Sequence, residues 1–233
     1  MAWLVLPRSG SQFLVKLAAA LLGEGMEPHS SLTPGRREKS LHGLITDGER
    51  ETRFRLSQAA GRPQAYFADF GARSVKIERP FADDLPERLR AACPDCRFIA
   101  SIRPFAAMAE SHASLAWGFP ARRLLEVYAE HVKRLTAFAA QSEVFFIEIE
   151  QRESFDADLF AAWLGTAAGP PFRRMVREWP MVNARAERVA KDGGREAPLD
   201  QPDAALLAEG AALDVQMREL AAGSLARIRA RLK

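Results

Sequence analysis

The feature that most constrains this chain is a change of apolar period that recurs along it. "AWLVL" (Ala2 to Leu6) is an apolar run of strand length, and after it Phe13, Leu17 and Leu21 fall on one helical face at i, i+4 spacing. "SVKIE" (Ser74 to Glu78) is a second short strand, followed by a helical stripe at Phe81, Leu85 and Leu89. "RFIASI" (Arg97 to Ile102) reads as a central strand, and Met108 and Leu115 mark a helix after Pro104. Pro120 stands where a first-turn proline belongs, ahead of a long stripe at Leu124, Leu125, Tyr128, Val132, Leu135 and Phe138. "EVFFIEIE" (Glu143 to Glu150) is a further strand, and "FDADLFAAWLG" is a helix closed by Gly165 as its C′ residue. Strands alternating with helices of this length are joined as parallel βαβ units. The expectation is an α/β fold of three layers, αβα, with a mainly parallel central sheet.

A chain of 233 residues with 48% hydrophobic and 27% charged residues suits one domain, spanning residues 1–233. Two regions fall outside the alternation. Residues 23–70 are rich in polar and turn residues and read as a substrate-side insertion, while 190–203 ("AKDGGREAPLDQPD") reads as a mobile loop before a C-terminal amphipathic helix over 204–233. Lys and Arg number 33 against 30 Asp and Glu, scattered rather than massed, which argues against a nucleic-acid binder and suits a small anionic ligand. No window reaches the ~18 uninterrupted apolar residues of a membrane span, and no signal-peptide pattern opens the chain, so a cytoplasmic protein without a membrane span is expected. Cys93 and Cys96 in "CPDC" lack a second ligand pair for zinc and read as thiols at a helix-to-strand turn.

The first strand and helix are joined by "PRSGSQF". A strand ending at Pro7 and a helix starting near Gly10 leave backbone N–H groups pointing into the turn, which makes an anion site. Gly10 lets the backbone come close, Ser9 and Ser11 add hydroxyls, and Arg8 supplies a cation that grips two oxygens at once. Phosphate or sulfate fits such a turn; a plainly capped helix with Ser9 as N-cap is the alternative. The G-x-x-x-x-G-K-[ST] loop of nucleotide hydrolases is excluded, since Gly10 is the only glycine there and the cation precedes it.

These residues resemble a known family. "PRSGSQF" is similar to the 5′-phosphosulfate loop, P-[KR]-S-G-[TS]-[TS]-[WFL], of sulfotransferases that use 3′-phosphoadenosine 5′-phosphosulfate (PAPS), with Gln12 in place of a hydroxyl residue. In "RFIASIRPFAAMAESHAS" a strand ends in Arg103, and Ser111 follows eight residues later, as in the family's 3′-phosphate pair; Pro104 stands one position earlier than the family's proline. "KIERPFADDLPERLRAACPDCRFIASIR" and "VFFIEIEQRESFDADLFAAWLG" resemble the family's flanking stretches, so the likeness runs with gaps over residues 2–165. It implies a P-loop NTPase-like fold. It implies further that Arg8, Ser9, Gly10, Ser11, Gln12 and Phe13 hold the 5′-phosphosulfate, and that Arg103 and Ser111 hold the 3′-phosphate. The implied reaction is in-line transfer of a sulfuryl group to a hydroxyl or amine of a small-molecule or glycan acceptor, with 3′-phosphoadenosine 5′-phosphate (PAP) as product. No metal ligand set is implied.

Such a transfer needs a base for the acceptor's proton. Glu78, directly after a strand, sits where branches of the family keep a catalytic histidine or glutamate; its alternative is a carboxylate paired with Arg79 or Lys76. Glu27 and His29 in "GEGMEPHSS" correspond to a segment from which other branches draw the base. "GRPQAYF" resembles the G-x-P-x-E-[YF]-F motif of the trehalose sulfotransferase branch, with Ala65 at the glutamate position. His112 points about 100° away from Ser111 on a helix and reads as structural, as do Arg227, Arg229, Arg231 and Lys233 near a helix C-terminus. A nucleotide-dependent kinase with an aberrant loop and a non-catalytic nucleotide or partner binder on the same fold are the competing readings.

Overall fold

A computed structural model describes residues 2–6, 9, 17, 21, 75–78, 81, 85–92, 94–113, 120–178 and 202–233. They form a mixed α/β structure around four strands, β1 (Ala2–Val5), β2 (Val75–Glu78), β3 (Phe98–Ile102) and β4 (Val144–Glu148). All pairings are parallel and the order is β2-β1-β3-β4. The helices are α1 (Leu85–Ala92), α2 (Phe105–Ala113), α3 (Ala121–Gln141), α4 (Ala157–Trp163), α5 (Pro170–Glu178) and α6 (Ala204–Leu232). Leu17 and Leu21 are helical as well, and Leu17 is buried.

The runs of β1, β3 and β4 are almost continuously apolar because their side chains enter cores on both faces of the sheet, as parallel strands require. Successive side chains alternate between the faces. Leu4, Phe98, Ala100, Ile102, Val144 and Phe146 join a core with α2, α3 and the first half of α6. Trp3, Val5, Ile99, Phe145 and Ile147 join a second core with Leu17, Phe160 and Trp163 of α4, Phe172 of α5 and Ile228 of α6. α6 thus contributes to both cores and passes the side of β4, one of the two outer strands of the described sheet. Ser224 of α6, fully buried, donates its hydroxyl to the Val144 carbonyl of β4 at 2.7 Å. A backbone acceptor on an edge strand is thereby occupied from within the chain.

The far end of α6 is held by Glu143. Arg231 donates to both of its carboxylate oxygens, at 2.8 and 2.9 Å, and Trp163 donates through Nε1. Burial pushes the Glu143 carboxyl up, but the hydrogen bonds from Arg231 and Trp163 and the charges of Arg231 and Arg97 outweigh it and hold the group below its ordinary value. Two other basic residues near this end are also engaged: Arg229 pairs with Asp156 at 3.4 Å and Arg227 donates to the Ala139 carbonyl at 3.1 Å.

Several boundaries differ from the sequence expectation by a residue or two, where strand ladders stop before the apolar run does. Leu6 lies beyond β1, and Ile149 and Glu150 lie in a turn beyond β4. Leu115 and Cys93 lie outside the described residues; Cys96 is half-buried in the turn between α1 and β3. The segment after Gly165, which shows no motif in the sequence, contains α5. Gly165 itself ends α4 as expected. Its φ of 77° is the left-handed turn in which the N–H of Thr166 returns to Ala161 at 2.9 Å and that of Gly165 to Ala162 at 3.0 Å.

α6 crosses α2 at Gly210, where an added Cβ would meet Phe105 Cδ1 at 2.1 Å and Cγ at 2.4 Å. Phe105 is fully buried, so its ring has no room to retreat. In an exposed helix Gly→Ala stabilises by about 1 kcal/mol. Here the overlap wins, and Gly210→Ala lowers unfolding stability by about 1–3 kcal/mol in denaturant titration.

Candidate functional site

β1 lies inside the sheet, with β2 on one side and β3 on the other. The chain leaves β1 toward β2 and later leaves β3 toward β4, so the direction of winding reverses between β1 and β3. The crevice at the carboxyl ends of those two strands is where open α/β sheets bind ligands.

Ser9, three residues past Leu6, is 2% exposed at that position. Its hydroxyl donates to the Leu6 carbonyl at 2.7 Å and accepts from Ser101 Oγ of β3 at 2.7 Å, while its N–H reaches the same carbonyl at 3.2 Å. Ser9 is therefore stitched to the end of β3 by a buried hydroxyl pair, and its own hydroxyl proton is used inside the protein. Arg8, Gly10, Ser11, Gln12 and Phe13, and likewise Glu27 and His29, lie outside the described residues.

Arg103 is the first residue beyond β3, two residues along from Ser101. Its Nε donates to Glu150 Oε1 at 2.7 Å. That pair extends the β3–β4 ladder: Ile102 is level with Glu148, and the Ile149 N–H reaches the Ile102 carbonyl at 2.9 Å. Ser111 lies on α2, buried, six residues past Phe105 and so about 9 Å along the helix axis. Glu78 is the last residue of β2, level with Val5 of β1. Its backbone is at the same sheet edge as Ser9 and Arg103, on the opposite side of β1 from Arg103.

Two further groups stand at this edge: Asp214, which sequence reasoning did not single out, and Tyr128, which it placed only on the stripe of a long helix. Asp214 of α6 is buried, and both of its carboxylate oxygens accept from the Phe105 N–H, at 3.0 and 3.1 Å, at the first residue of α2. Tyr128 of α3 donates to the same carboxylate at 2.9 Å. Burial pushes Asp214 up, against the pull of the hydrogen bonds from Tyr128 and Phe105 and the charge of Arg218. Burial, followed by the charge and hydrogen bond of Asp214, drives the Tyr128 phenol above its ordinary value. Arg218, one turn along α6, bridges to Glu148 at 3.0 Å. The signal for Asp214 is its spacing: it falls on the buried stripe Leu206, Gly210, Met217, Ala221, Ser224 and Ile228. Ser101 had a signal too, as the one hydroxyl within "FIASI".

On the other side of β1 is a cleft of about 180 Å³. Its described lining includes Leu6 at the end of β1, Phe81 beyond β2, and Arg123, Glu126, Val127, Glu130 and His131 of α3. His131 is 4% exposed, and its Nδ1 is buried with no hydrogen-bond partner among the described residues. Burial lowers its pKa from 6.5 to about 3, so the imidazole is neutral near pH 7. Comparison with known proteins finds no family model, no curated protein and no solved structure that matches this chain. Among the described residues, no helix is long and apolar enough to cross a membrane.

Two outcomes follow from these buried groups. Asp214→Ala leaves the Tyr128 hydroxyl and the Phe105 N–H without a partner in the core and costs about 3 kcal/mol; adding Tyr128→Phe restores part of it, so a double-mutant cycle gives strongly non-additive values. Between pH 6.5 and about 3 the unfolded chain takes a proton at His131 that the folded chain refuses, so stability is full above pH 6.5 and falls as the pH drops. Through that window His131→Phe gains on the wild type by about 1.4 kcal/mol per pH unit, read from urea titrations at successive pH values.

Proposed function

We propose that this chain is a PAPS-dependent sulfotransferase of three-layer, P-loop-like fold, moving a sulfuryl group to the hydroxyl or amine of an acceptor. The observation that carries the reading is the buried hydrogen bond of 2.7 Å between Ser101 and Ser9, which brings the end of β1 and the end of β3 to one crevice. Those strand ends lead into the two sequence segments that resemble the family's phosphosulfate loop and its 3′-phosphate pair. On this reading Arg8 and the backbone of Gly10, Ser11, Gln12 and Phe13 cradle the 5′-phosphosulfate. Arg103 and Ser111 hold the 3′-phosphate. The first N–H of α2 is already occupied by Asp214, so the charge of Arg103 carries most of the selectivity for that phosphate.

In the transfer, the acceptor oxygen or nitrogen attacks sulfur in line, the bond from sulfur to the 5′-phosphate oxygen breaks, and PAP departs with its electron pair. Glu78, at the edge of β2, takes the acceptor's proton. A second reading, nucleotide binding without transfer, is favoured by Gln12 at a hydroxyl position and by the engaged hydroxyl of Ser9.

Thermal unfolding with nucleotides tests the reading, because a ligand selective for the native state raises the midpoint by mass action. PAP is expected to raise the midpoint well beyond AMP, and Arg103→Ala to erase most of the difference, since hydrogen bonds to a charged group contribute about 1.5–3 kcal/mol. Equal shifts with PAP and AMP on the wild-type chain reject the assignment.

A further inference from the structure

Arg103, which the proposed function gives to a 3′-phosphate, already holds an anion supplied by its own chain. Its Nε donates to Glu150 Oε1 at 2.7 Å, the distance of a charge-assisted hydrogen bond. The pairing follows from the sheet. Ile102 is level with Glu148, and the Ile149 N–H returns to the Ile102 carbonyl at 2.9 Å, so the first residues past β3 and β4 are held side by side. The backbone thus keeps the Glu150 carboxylate within reach of Arg103 whether or not the two side chains are paired, which gives it a high effective concentration there.

Exposure decides which contacts at this edge can give way. The Glu150 side chain is 40% exposed, so it can turn into water without a desolvated charge being left behind. Ion pairs open to solvent are weak, because both partners are well hydrated when apart. The other carboxylates here are more firmly placed: Glu148, paired with Arg218, is only 15% exposed, and Asp214 is buried on the Phe105 N–H and the Tyr128 hydroxyl. Among the described residues these three carboxylates face two guanidiniums, Arg103 and Arg218, so an incoming dianion meets an excess of negative charge. The contact that relieves it at least cost is the one between Arg103 and Glu150.

We infer that Glu150 is an internal competitor for the 3′-phosphate: its carboxylate holds Arg103 until the phosphate displaces it, and reclaims the arginine as the nucleotide leaves. This role rests on the proposed function, since it needs a 3′-phosphate at Arg103. Competition of this kind acts on one class of nucleotide only. AMP, without a 3′-phosphate, leaves the pair intact, so Glu150 lowers the affinity for PAP and PAPS and not that for AMP. Because PAP is the product, the same carboxylate shortens the time for which it stays bound. A carboxylate that instead positioned the guanidinium for its ligand would act with the opposite sign, and its removal would weaken PAP binding.

Calorimetric titration of the full-length chain with PAP and with AMP tests this, on the wild type and on Glu150→Gln, which keeps the size of the side chain and removes its charge. The expected result is PAP binding about three- to fivefold tighter to Glu150→Gln than to the wild type, with slower dissociation of PAP in stopped flow and unchanged AMP binding. On an Arg103→Ala background the same substitution is expected to lose most of its effect on PAP, because the contact it relieves is gone. PAP affinity that is unchanged or weaker in Glu150→Gln, or a gain of equal size for AMP, would overturn the inference; a wild-type preference for PAP over AMP would then leave the nucleotide assignment standing. Equal affinity of the wild type for PAP and AMP would overturn both.

Discussion

One buried carboxylate fixes the geometry at the carboxyl ends of the strands. Asp214 reaches from α6 to the first N–H of α2 and to the Tyr128 hydroxyl of α3, so three helices on one face of the sheet converge on a single group. α2 begins two residues after Arg103, and anchoring its first turn limits where that arginine can swing. The aromatic neighbours tighten the joint: the Phe105 and Tyr128 rings stack with centroids 6.2 Å apart, and Gly210 of α6 passes directly over Phe105. A carboxylate in this setting loses hydration, and the hydrogen bonds it accepts offset much of that loss. The same carboxylate neutralises the dipole at the start of α2, which would otherwise attract an external anion.

The order of the strands separates two environments on either side of β1. Toward β3 and β4 the strand ends carry charges in pairs, Arg103 with Glu150 and Glu148 with Arg218. Toward β2 lies a cleft whose described lining sets Leu6, Phe81, Val127 and the uncharged, buried His131 imidazole beside exposed Arg123, Glu126 and Glu130. Paired charges and an uncharged buried ring have opposite solvation demands, and one strand's width of backbone keeps them adjacent without mixing them. Ser9 and Ser101 tie β3 to the chain at the point where β1 ends.

The strands were legible because apolar runs bounded by turns are a local property, and parallel pairing followed from the helices between them. Glu78 and Arg103 were legible as strand ends for the same reason. The hydroxyl pair of Ser9 and Ser101 was not, since its partners are 92 residues apart and no local spacing signals a long-range hydrogen bond. Asp214, Ser224 and His131 were hidden by a rule that assigns polar residues on a helix to its solvent face; here all three sit on buried stripes. α5 escaped notice because "PPFRRMVRE" buries a single residue, Phe172, and its arginines mask a one-sided apolar pattern.

α6 comes after all four described strands, and this has a consequence during synthesis. As the polypeptide leaves the ribosome, β4 emerges with its outer carbonyls unpaired and Glu143 without its arginine, before the helix that covers them has been made. A nascent sheet in that state has an open side able to pair with another nascent chain. The interval between translation of β4 and of α6 is therefore the period in which misassembly competes with folding. Slow decoding across residues 149–203 would lengthen that exposure, and a chaperone that shields strand edges would shorten it.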